Sequence, residues 1–454
     1  MLLNRTNKVF LLSLALAGGL TSCDDSLEPL ELQYKEDPNF APPHISEAWM
    51  LEELPEMEVD RVFVYRDNLY DKLFTRTLGW NGGDGVMTVQ LPDGHLFWEF
   101  NDSFYGVVDG ETRTRYGSSF PRNTIMVQRA ENGFPAETDD DLIWLADFVQ
   151  TTDPDAPGYY KAKTHLDHPK AKNYNDDGIA QDFLYWAGDG TVVNNKLQFL
   201  WNSVDYSGAS GNAVDQSTAL AIYSLDGKPG DPDYLKLESV DCNFIPNNPY
   251  GYGRTLLEDE DGHIYLYSSI SNGSALSQDP IVARTTTADL SSEWEYYVPD
   301  EMGEMIWKKG YPTEIEARNS CIAPGQGAVD LPWVFKKDDW YYMCAQTYPF
   351  GREMKIMRSR HPWGPFTDGQ ILCKFTNPLN PLQGDKYGST YDMLYMLNIH
   401  PALSRDGEIV ISTNTDANSS SSLGFFRNFN NPGSADWYRP FFFRVFKWER
   451  LFDK

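Results

Sequence analysis

The apolar residues of this chain fall in short alternating runs, rich in Val, Ile, Tyr, Phe and Trp and broken by Gly, Asp, Asn and Pro. Period-2 alternation of that kind predicts half-buried β-strands, and almost no stretch shows the 3.6-residue spacing of an amphipathic helix. The clearest case is Val86 to Leu91 followed by His95 to Phe100, joined by Pro92-Asp93-Gly94, which predicts a β-hairpin. Groups of such runs recur with the spacing of propeller blades, stretched by insertions. The first group adds 123–128 and 142–148 to the hairpin, and the second takes in 188–193, 197–201, 219–223 and 234–240. The third covers 251–257, 264–268, 281–285 and 294–298, and the fourth 333–335, 340–345, 354–359 and 370–373. The last covers 399–403, 409–413, 422–426 and 441–448. Turns recur at Asp93-Gly94, Asp261-Gly262, Lys337-Asp338 and Asp406-Gly407. Together these groups predict an all-β fold, a five-bladed β-propeller, with Val59 to Tyr65 pairing onto the last blade to close the ring. The insertions at 106–121, 150–187, 302–326 and 374–398 either wall a cleft at the channel mouth or form ordered surface loops.

The N-terminus reads differently. Arg5 and Lys8 precede an apolar run, Val9 to Leu20, and Leu20-Thr21-Ser22-Cys23 has the form of a bacterial lipobox. Residues 1–22 are therefore expected to be a lipoprotein signal peptide, with Cys23 as the lipid-bearing residue of the mature chain. Residues 23–58, rich in Asp, Glu and Pro, read as a tether, and 59–454 as the propeller domain. Asp24-Asp25 resembles the acidic export signal of Bacteroidetes lipoproteins. The expected location is the outer membrane, lipid-anchored and facing the periplasm or the cell surface. No other segment has the length of a membrane span.

Charge narrows the partners. The chain carries a formal net charge of −28, and loss of Arg5 and Lys8 makes the mature form more negative still. A nucleic acid would be repelled, whereas a polysaccharide or oligosaccharide partner is compatible. Cys242, Cys321, Cys344 and Cys373 form no C-x-x-C pair, so zinc is excluded by spacing and buried free thiols are expected, with one disulfide as the alternative. The chain is expected to be a monomer. It has no G-x-S-x-G elbow, P-loop, H-E-x-x-H or sialidase Asp box.

The candidate chemistry lies at the hairpin. Asp84 stands just before its first strand and Asp102 just after its second, so folding brings both carboxylates to one rim on neighbouring strands. Two acids held together in this way suit general acid/base or nucleophilic cleavage of a glycosidic bond, and close spacing favours retention. Each Asp alone has an ordinary explanation as a turn former or strand cap. Asp189 opens the second blade as Asp84 opens the first, either lining the channel or repeating a structural turn. Arg254, in the Gly-rich opening of the third, offers a donor fork for a carboxylate or sugar hydroxyls, or a structural ion pair. Arg122 and Asn123 precede the third strand of the first blade and could reach the same mouth. Glu316 is a reserve general acid in an insertion that is otherwise a solvated loop. His400 opens the last blade, as a sugar or metal contact or as a satisfied structural residue. Trp80 and Tyr105, with Trp98, Tyr250, Tyr252 and Tyr391, are candidates for stacking on sugar rings, though most aromatics in such a chain must be core.

Gly83-Asp84-Gly85 and Asn101-Asp102-Ser103 resemble the first hairpin of propeller lipoproteins of unknown function from Bacteroidetes. They are similar, too, to that of the endo-D-arabinanases of glycoside hydrolase family 183, where it supplies paired aspartates. Met357-Arg358-Ser359-Arg360-His361-Pro362-Trp363-Gly364-Pro365-Phe366 more distantly resembles a blade signature of glycoside hydrolase families 43, 32 and 130, and Asn398-Ile399-His400-Pro401 adds a weaker match. The resemblance implies Asp84 and Asp102 as the catalytic pair of a surface-anchored glycoside hydrolase and an arabinofuranose-containing polysaccharide as substrate. It implies no required cofactor, and it leaves calcium near the channel open although no D-x-D-x-D-G loop is present. No third acid matches residue by residue. The alternative is a non-catalytic glycan-binding propeller lipoprotein of a polysaccharide-uptake system.

Overall fold

The computed structural model describes residues 51–453 except 61, 150–152, 154, 156–157, 209–215, 275–276, 328, 348–350, 376–392 and 417–426. The expected signal peptide, Cys23 as the expected lipidation site, most of the expected tether, Tyr391 and the run 422–426 lie outside the described residues.

The described chain begins with β1 (Leu51–Glu53), β2 (Phe63–Asp67) and a short helix α1 (Asn68–Leu73). It continues through β3 (Leu78–Gly83), β4 (Met87–Gln90), β5 (Leu96–Phe100), β6 (Ser103–Val108), β7 (Arg115–Ser119) and β8 (Thr124–Gln128). A two-residue pair, β9 (Ala130–Glu131) and β10 (Phe134–Pro135), precedes β11 (Leu142–Leu145). Next come β12 (Phe183–Val193), β13 (Lys196–Asp205), β14 (Thr218–Leu225) and β15 (Tyr234–Ile245). They are followed by β16 (Thr255–Glu258), β17 (Ile264–Ser274), β18 (Ser277–Thr285), β19 (Trp294–Pro299), β20 (Met305–Lys309) and helix α2 (Glu314–Arg318). The chain ends with β21 (Asp330–Lys337), β22 (Trp340–Gln346), β23 (Glu353–Ser359), β24 (Thr367–Lys374), β25 (Met393–Ile399), β26 (Glu408–Asp416) and β27 (Pro440–Phe446).

These strands make a β-propeller. Its larger antiparallel sheets are β4-β5-β8-β11, β12 to β15, β16 to β20, β21 to β24, and β25-β26-β27-β2-β1. Their innermost strands β4, β12, β16, β21 and β25 pack side by side in that order. β2 pairs with β27, Phe63 opposite Phe446, so the N-terminal run closes the last sheet as its alternation predicted. Three details differ from the sequence reading. The last sheet starts at β25 (Met393–Ile399), ahead of Pro401, because proline cannot donate to a ladder. Part of the 302–326 insertion is β20, which adds an outer strand to the third sheet. The 106–121 insertion is no loop: β6 and β7 pair with β3 as a separate three-stranded sheet.

The apolar faces of adjacent sheets meet in the core, where Phe97, Phe199, Trp201 and Tyr223 are fully buried between the first and second. Cys344 and Cys373 are buried thiols, and Cys242 and Cys321 are free and half-buried. Among the described residues no helix is long and apolar enough to cross a membrane.

Innermost strands have no ladder partner toward the axis, so polar groups staple each to its neighbour. Ala187 N donates to Asn101 Oδ1 (2.7 Å), and Leu256 N to Asp189 Oδ2 (2.9 Å). Thr255 Oγ1 donates to the Pro332 carbonyl, Trp333 Nε1 to Asn398 Oδ1 (3.1 Å), and Asn398 Nδ2 back to the Gly85 carbonyl (2.9 Å). Farther out, Arg444 on β27 is gripped by Asp67 (2.6 Å) and Glu408 (2.8 Å), all three almost fully buried. Replacing Arg444 by Met would leave two buried carboxylates without their cation. The expected cost is about 3–5 kcal/mol, read as a lower denaturant midpoint at unchanged slope. A loss under about 1 kcal/mol would show that the last sheet closes without this network.

Candidate active site

β3 and β4 form one arm of a long hairpin, and β6 and β5 the other. The outer part, with Gly83 opposite Ser103, belongs to the three-stranded sheet, and the inner part, with Met87 opposite Glu99, to the first large sheet. Asp84 and Asp102 sit at the step between them. Asp84 N donates to the Asp102 carbonyl (3.2 Å) and Asn101 N to the Asp84 carbonyl (2.8 Å). Asn101 and Asp102 together thus oppose one residue, a β-bulge that re-aims side chains. Gly85 has φ +84, and a Cβ there would lie 2.5 Å from the Asn101 amide, so only glycine allows this step.

The two carboxylates have different surroundings. Asp84 Oδ2 accepts hydrogen bonds from the hydroxyls of Tyr395 (2.9 Å) and Tyr438 (3.0 Å). Tyr395 comes from β25, and Tyr438 precedes β27 in a left-handed conformation (φ +58). That strained turn is clamped by Arg115, which is buried and donates to the carbonyls of Asn81, Asn428, Ser434 and Trp437 and to Asn81 Oδ1. Asp102 instead faces a cation, with Arg122 Nη1 3.3 Å from its Oδ1. Arg122 is itself aimed by the Ala180 carbonyl (3.1 Å) and Gln181 Oε1 (3.2 Å).

Burial and the neighbouring Asp102 charge push Asp84 up to about 8, against the pull of the two tyrosine hydroxyls. Burial raises Asp102 too, but Arg122 and then the Trp186 indole oppose the rise. When two close carboxylates compete for one proton, the one beside the guanidinium ionises first. A third acid lies next to them. Glu99 is fully buried on β5, neither of its oxygens has a hydrogen-bond partner, and burial with the charges of Asp84 and Asp102 holds it protonated.

A cavity of about 410 Å³ opens beside the pair. Its wall takes residues from four of the large sheets, among them Met87, Trp186, Asp330 and Tyr395, and from the loop that leads into the third, which carries Arg254. At its edge Trp186 packs edge-on against half-exposed Tyr206, with ring centroids 6.1 Å apart. Tyr206 feels both aspartates, and its hydroxyl is pushed up to about 12, first by burial.

The structure puts Arg254 in the cavity wall, Asp84 and Asp102 next in sequence to the wall residues Gly85 and Asn101, and Arg122 on Asp102, and it takes other sequence candidates away. Asp189 is buried, raised to about 7 by burial, and bonded to the Gly190 and Leu256 amides, so it joins sheets and does not line the cavity. Asn123 has both ends of its amide taken by Leu166 and the Tyr185 carbonyl. Glu316 is the capping-box residue of α2, paired with Lys308 (2.6 Å) and held down at about 2, which removes it as a general acid. His400 is buried between Thr88 (3.0 Å) and Ser412 (2.8 Å), and burial keeps it neutral at about 3. With both ring nitrogens taken, it fits neither calcium nor sugar. Among the described residues no group of three His, Cys, Asp or Glu could hold a metal ion. Trp80 stacks on Trp144 (5.0 Å) and Tyr105 is 2% exposed, so both are core. Trp98 and Tyr252 are fully buried as well.

Sequence reasoning missed Tyr395, Tyr438, Glu99, Trp186 and Tyr206. The two tyrosines reach Asp84 from 311 and 354 residues away, a separation no local pattern encodes. Glu99 had a signal, a lone acid at an inward position of an otherwise apolar strand.

A crystal structure of a candidate hydrolase from Bacteroides ovatus ATCC 8483 is 51% identical, covering 92% of this chain and 99% of its own, with a TM-score of 0.80. An alpha-L-arabinanase from Cellvibrio cellulosa, complexed with arabinohexaose, is 13% identical over 81% of this chain and 91% of its own, with a TM-score of 0.40. A family-43 β-xylosidase/α-arabinofuranosidase from a compost metagenome, in complex with xylotriose, is 14% identical over 82% and 91%, with a TM-score of 0.37. No curated protein matches. The family model that does match, over residues 67–448, is that of a domain of unknown function, DUF5005, and the chain belongs to that family.

Proposed function

We propose that this protein is a glycoside hydrolase that cleaves a polysaccharide with Asp84 and Asp102. The observation that carries the reading is the contrast between two carboxylates locked backbone to backbone beside one cavity. One is held protonated among tyrosines and the other is paired with Arg122. Carboxylates whose surroundings push their proton affinities apart divide the roles of acid and base between them. Asp84 donates its proton to the glycosidic oxygen as the bond to the anomeric carbon breaks. Asp102, ionised, supports the positive charge that develops there, as nucleophile or as base toward water. Trp186 and Tyr206 offer aromatic faces at the cavity edge for a sugar ring.

The first-choice substrate is a polysaccharide containing arabinofuranose, by the resemblance of the first hairpin. The proposed setting is a monomer anchored through lipid on Cys23 in the outer membrane, facing the periplasm or the cell surface. The second reading, glycan capture without cleavage, is weaker because a capture surface has no use for a carboxylate kept protonated near neutral pH.

Reducing-sugar release from a polysaccharide panel, arabinans included, tests the reading. Asp84→Asn and Asp102→Asn are each expected to lower kcat by at least about 10³-fold with melting temperature preserved. Unchanged glycan binding with no release by the wild type would leave a capture protein instead.

Two pH effects follow from Asp84. At low pH the folded and unfolded states both carry its proton. As pH rises past the ordinary carboxylate range only the unfolded chain loses it, and the native state loses stability until Asp84 ionises near 8. Thermal melts from pH 4 to 8 should therefore fall less steeply for Asp84→Asn than for the wild type. In activity, the alkaline limb should report the same proton. Tyr395→Phe removes a donor that favours the anion, so it should move that limb to higher pH. A limb that stays in place would separate Asp84 from proton donation.

A further inference from the structure

We infer that the cavity recognises a carboxylate on the substrate, and that Arg254 is the group that binds it. The inference rests on the hydrolase reading for its substrate but not for its chemistry. Among the described residues lining the cavity, Arg254 is the one cationic side chain. It is exposed to that space, and its guanidinium makes no hydrogen bond or ion pair with any described residue. In a chain of net charge −28, a cation left unpaired in a cavity wall is unusual. The buried arginines contrast with it, since Arg115 and Arg444 have their donors engaged.

The position is built. The Arg254 amide donates to the Tyr267 carbonyl (3.2 Å), which fixes the base of the side chain. Gly251 has φ +64, and a Cβ there would lie 3.1 Å from Arg254 Nε, so the glycine leaves the guanidinium room to lie across it. Asp330 is close enough to feel the charge, yet no ion pair joins them, and Ser269 Oγ lies 3.4 Å from its Oδ1.

What remains of the wall decides the ligand. The cavity amides of Asn101, Asn202, Asn248 and Asn398 are taken up within the protein. The side chain of exposed Gln216 has no partner among the described residues, and it adds both a donor and an acceptor to the wall. Sugar hydroxyls both donate and accept, so they call for acceptors as well as donors. A carboxylate only accepts, and a planar guanidinium matches it two bonds at a time. A guanidinium that no described residue engages, standing in the cavity wall, therefore suits a uronic acid residue of the polysaccharide. Arg254 belongs with the loop that leads into the third sheet and the aspartates with the first sheet, so the acidic residue would lie across the cavity from the bond that is cut.

The test is equilibrium binding to Asp84→Asn protein, so that turnover plays no part. The probes are pectic, alginate, glucuronoxylan and glycosaminoglycan fragments, each beside its carboxyl-reduced counterpart, with sulfated neutral glycans as a further arm. At least one acidic fragment should bind about tenfold or more tighter than its reduced form. Arg254→Gln should erase that difference while leaving affinity for the reduced form and the melting temperature unchanged, and Arg254→Lys should restore part of it. Equal affinity for both forms across the panel overturns the inference, as does equal weakening of both by Arg254→Gln. Preference for sulfate esters over uronates overturns the carboxylate assignment. Selective binding without sugar release from the wild type would uphold Arg254 and refute the hydrolase reading, so the two fail separately.

Discussion

A strand at the axis of a propeller has a ladder partner on one side only. Everything at the centre of this protein follows from how that open edge is treated. Here each innermost strand is tied to the next by a polar side chain or amide, through Asn101, Asp189, Thr255, Trp333 and Asn398. The ties need polar residues at inward positions, which apolar packing alone would not select. They also fix the separation of the sheets around a cavity walled by four of them and by the loop that leads into the third. Asn101, one of these ties, is the residue immediately before Asp102, so closing the ring and placing a carboxylate are the same structural act.

Burial next to one another then sets the chemistry. A carboxylate in a low-dielectric site resists ionisation, and a second charge nearby raises the resistance further. Asp84, Asp102 and Glu99 crowd one corner, and a single guanidinium, Arg122, faces them. One negative charge is balanced and the other acids keep their protons. Glu99, without hydrogen-bond partners among the described residues, keeps its proton because burial and the charges of Asp84 and Asp102 make the ion costly there.

The strand framework was legible because period-2 alternation and Asp-Gly turns are local signals: the first, second and fourth large sheets start and end close to where those signals fall, and the third runs on into β20. The last sheet was misdrawn at its start, because its first strand, Met393–Ile399, follows a poorly patterned stretch, whereas its completion by β2 was read correctly. The paired aspartates were legible for the same local reason, as the two ends of one hairpin. Their partners were not. Tyr395 and Tyr438 touch Asp84 only because the ring closes, and Asp189, Asn123 and His400, which look like site residues in one dimension, turn out to bond sheets together. A polar residue at the start of an inner strand is ambiguous in sequence, since stapling a neighbour and meeting a ligand require the same residue types.

The three-stranded sheet beside the first large one gives this ambiguity a physical answer at the aspartates. A hairpin ending at the rim would leave Asp84 and Asp102 on fraying strand ends, free to turn toward solvent and ionise normally. Here the strands run on as β3 and β6, and β7 brings Arg115 beneath them. Burial lowers Arg115 to about 9, and its guanidinium is held by carbonyl and amide oxygens without a directly bonded carboxylate. Such a residue adds little net stability, because its desolvation offsets much of what its hydrogen bonds return. What it does is hold the Trp437–Tyr438 turn in a conformation that a non-glycine residue avoids, and so keep a phenol on Asp84. Strain maintained at that position by a buried cation without a directly bonded carboxylate fits the support of the carboxylate proposed to act there.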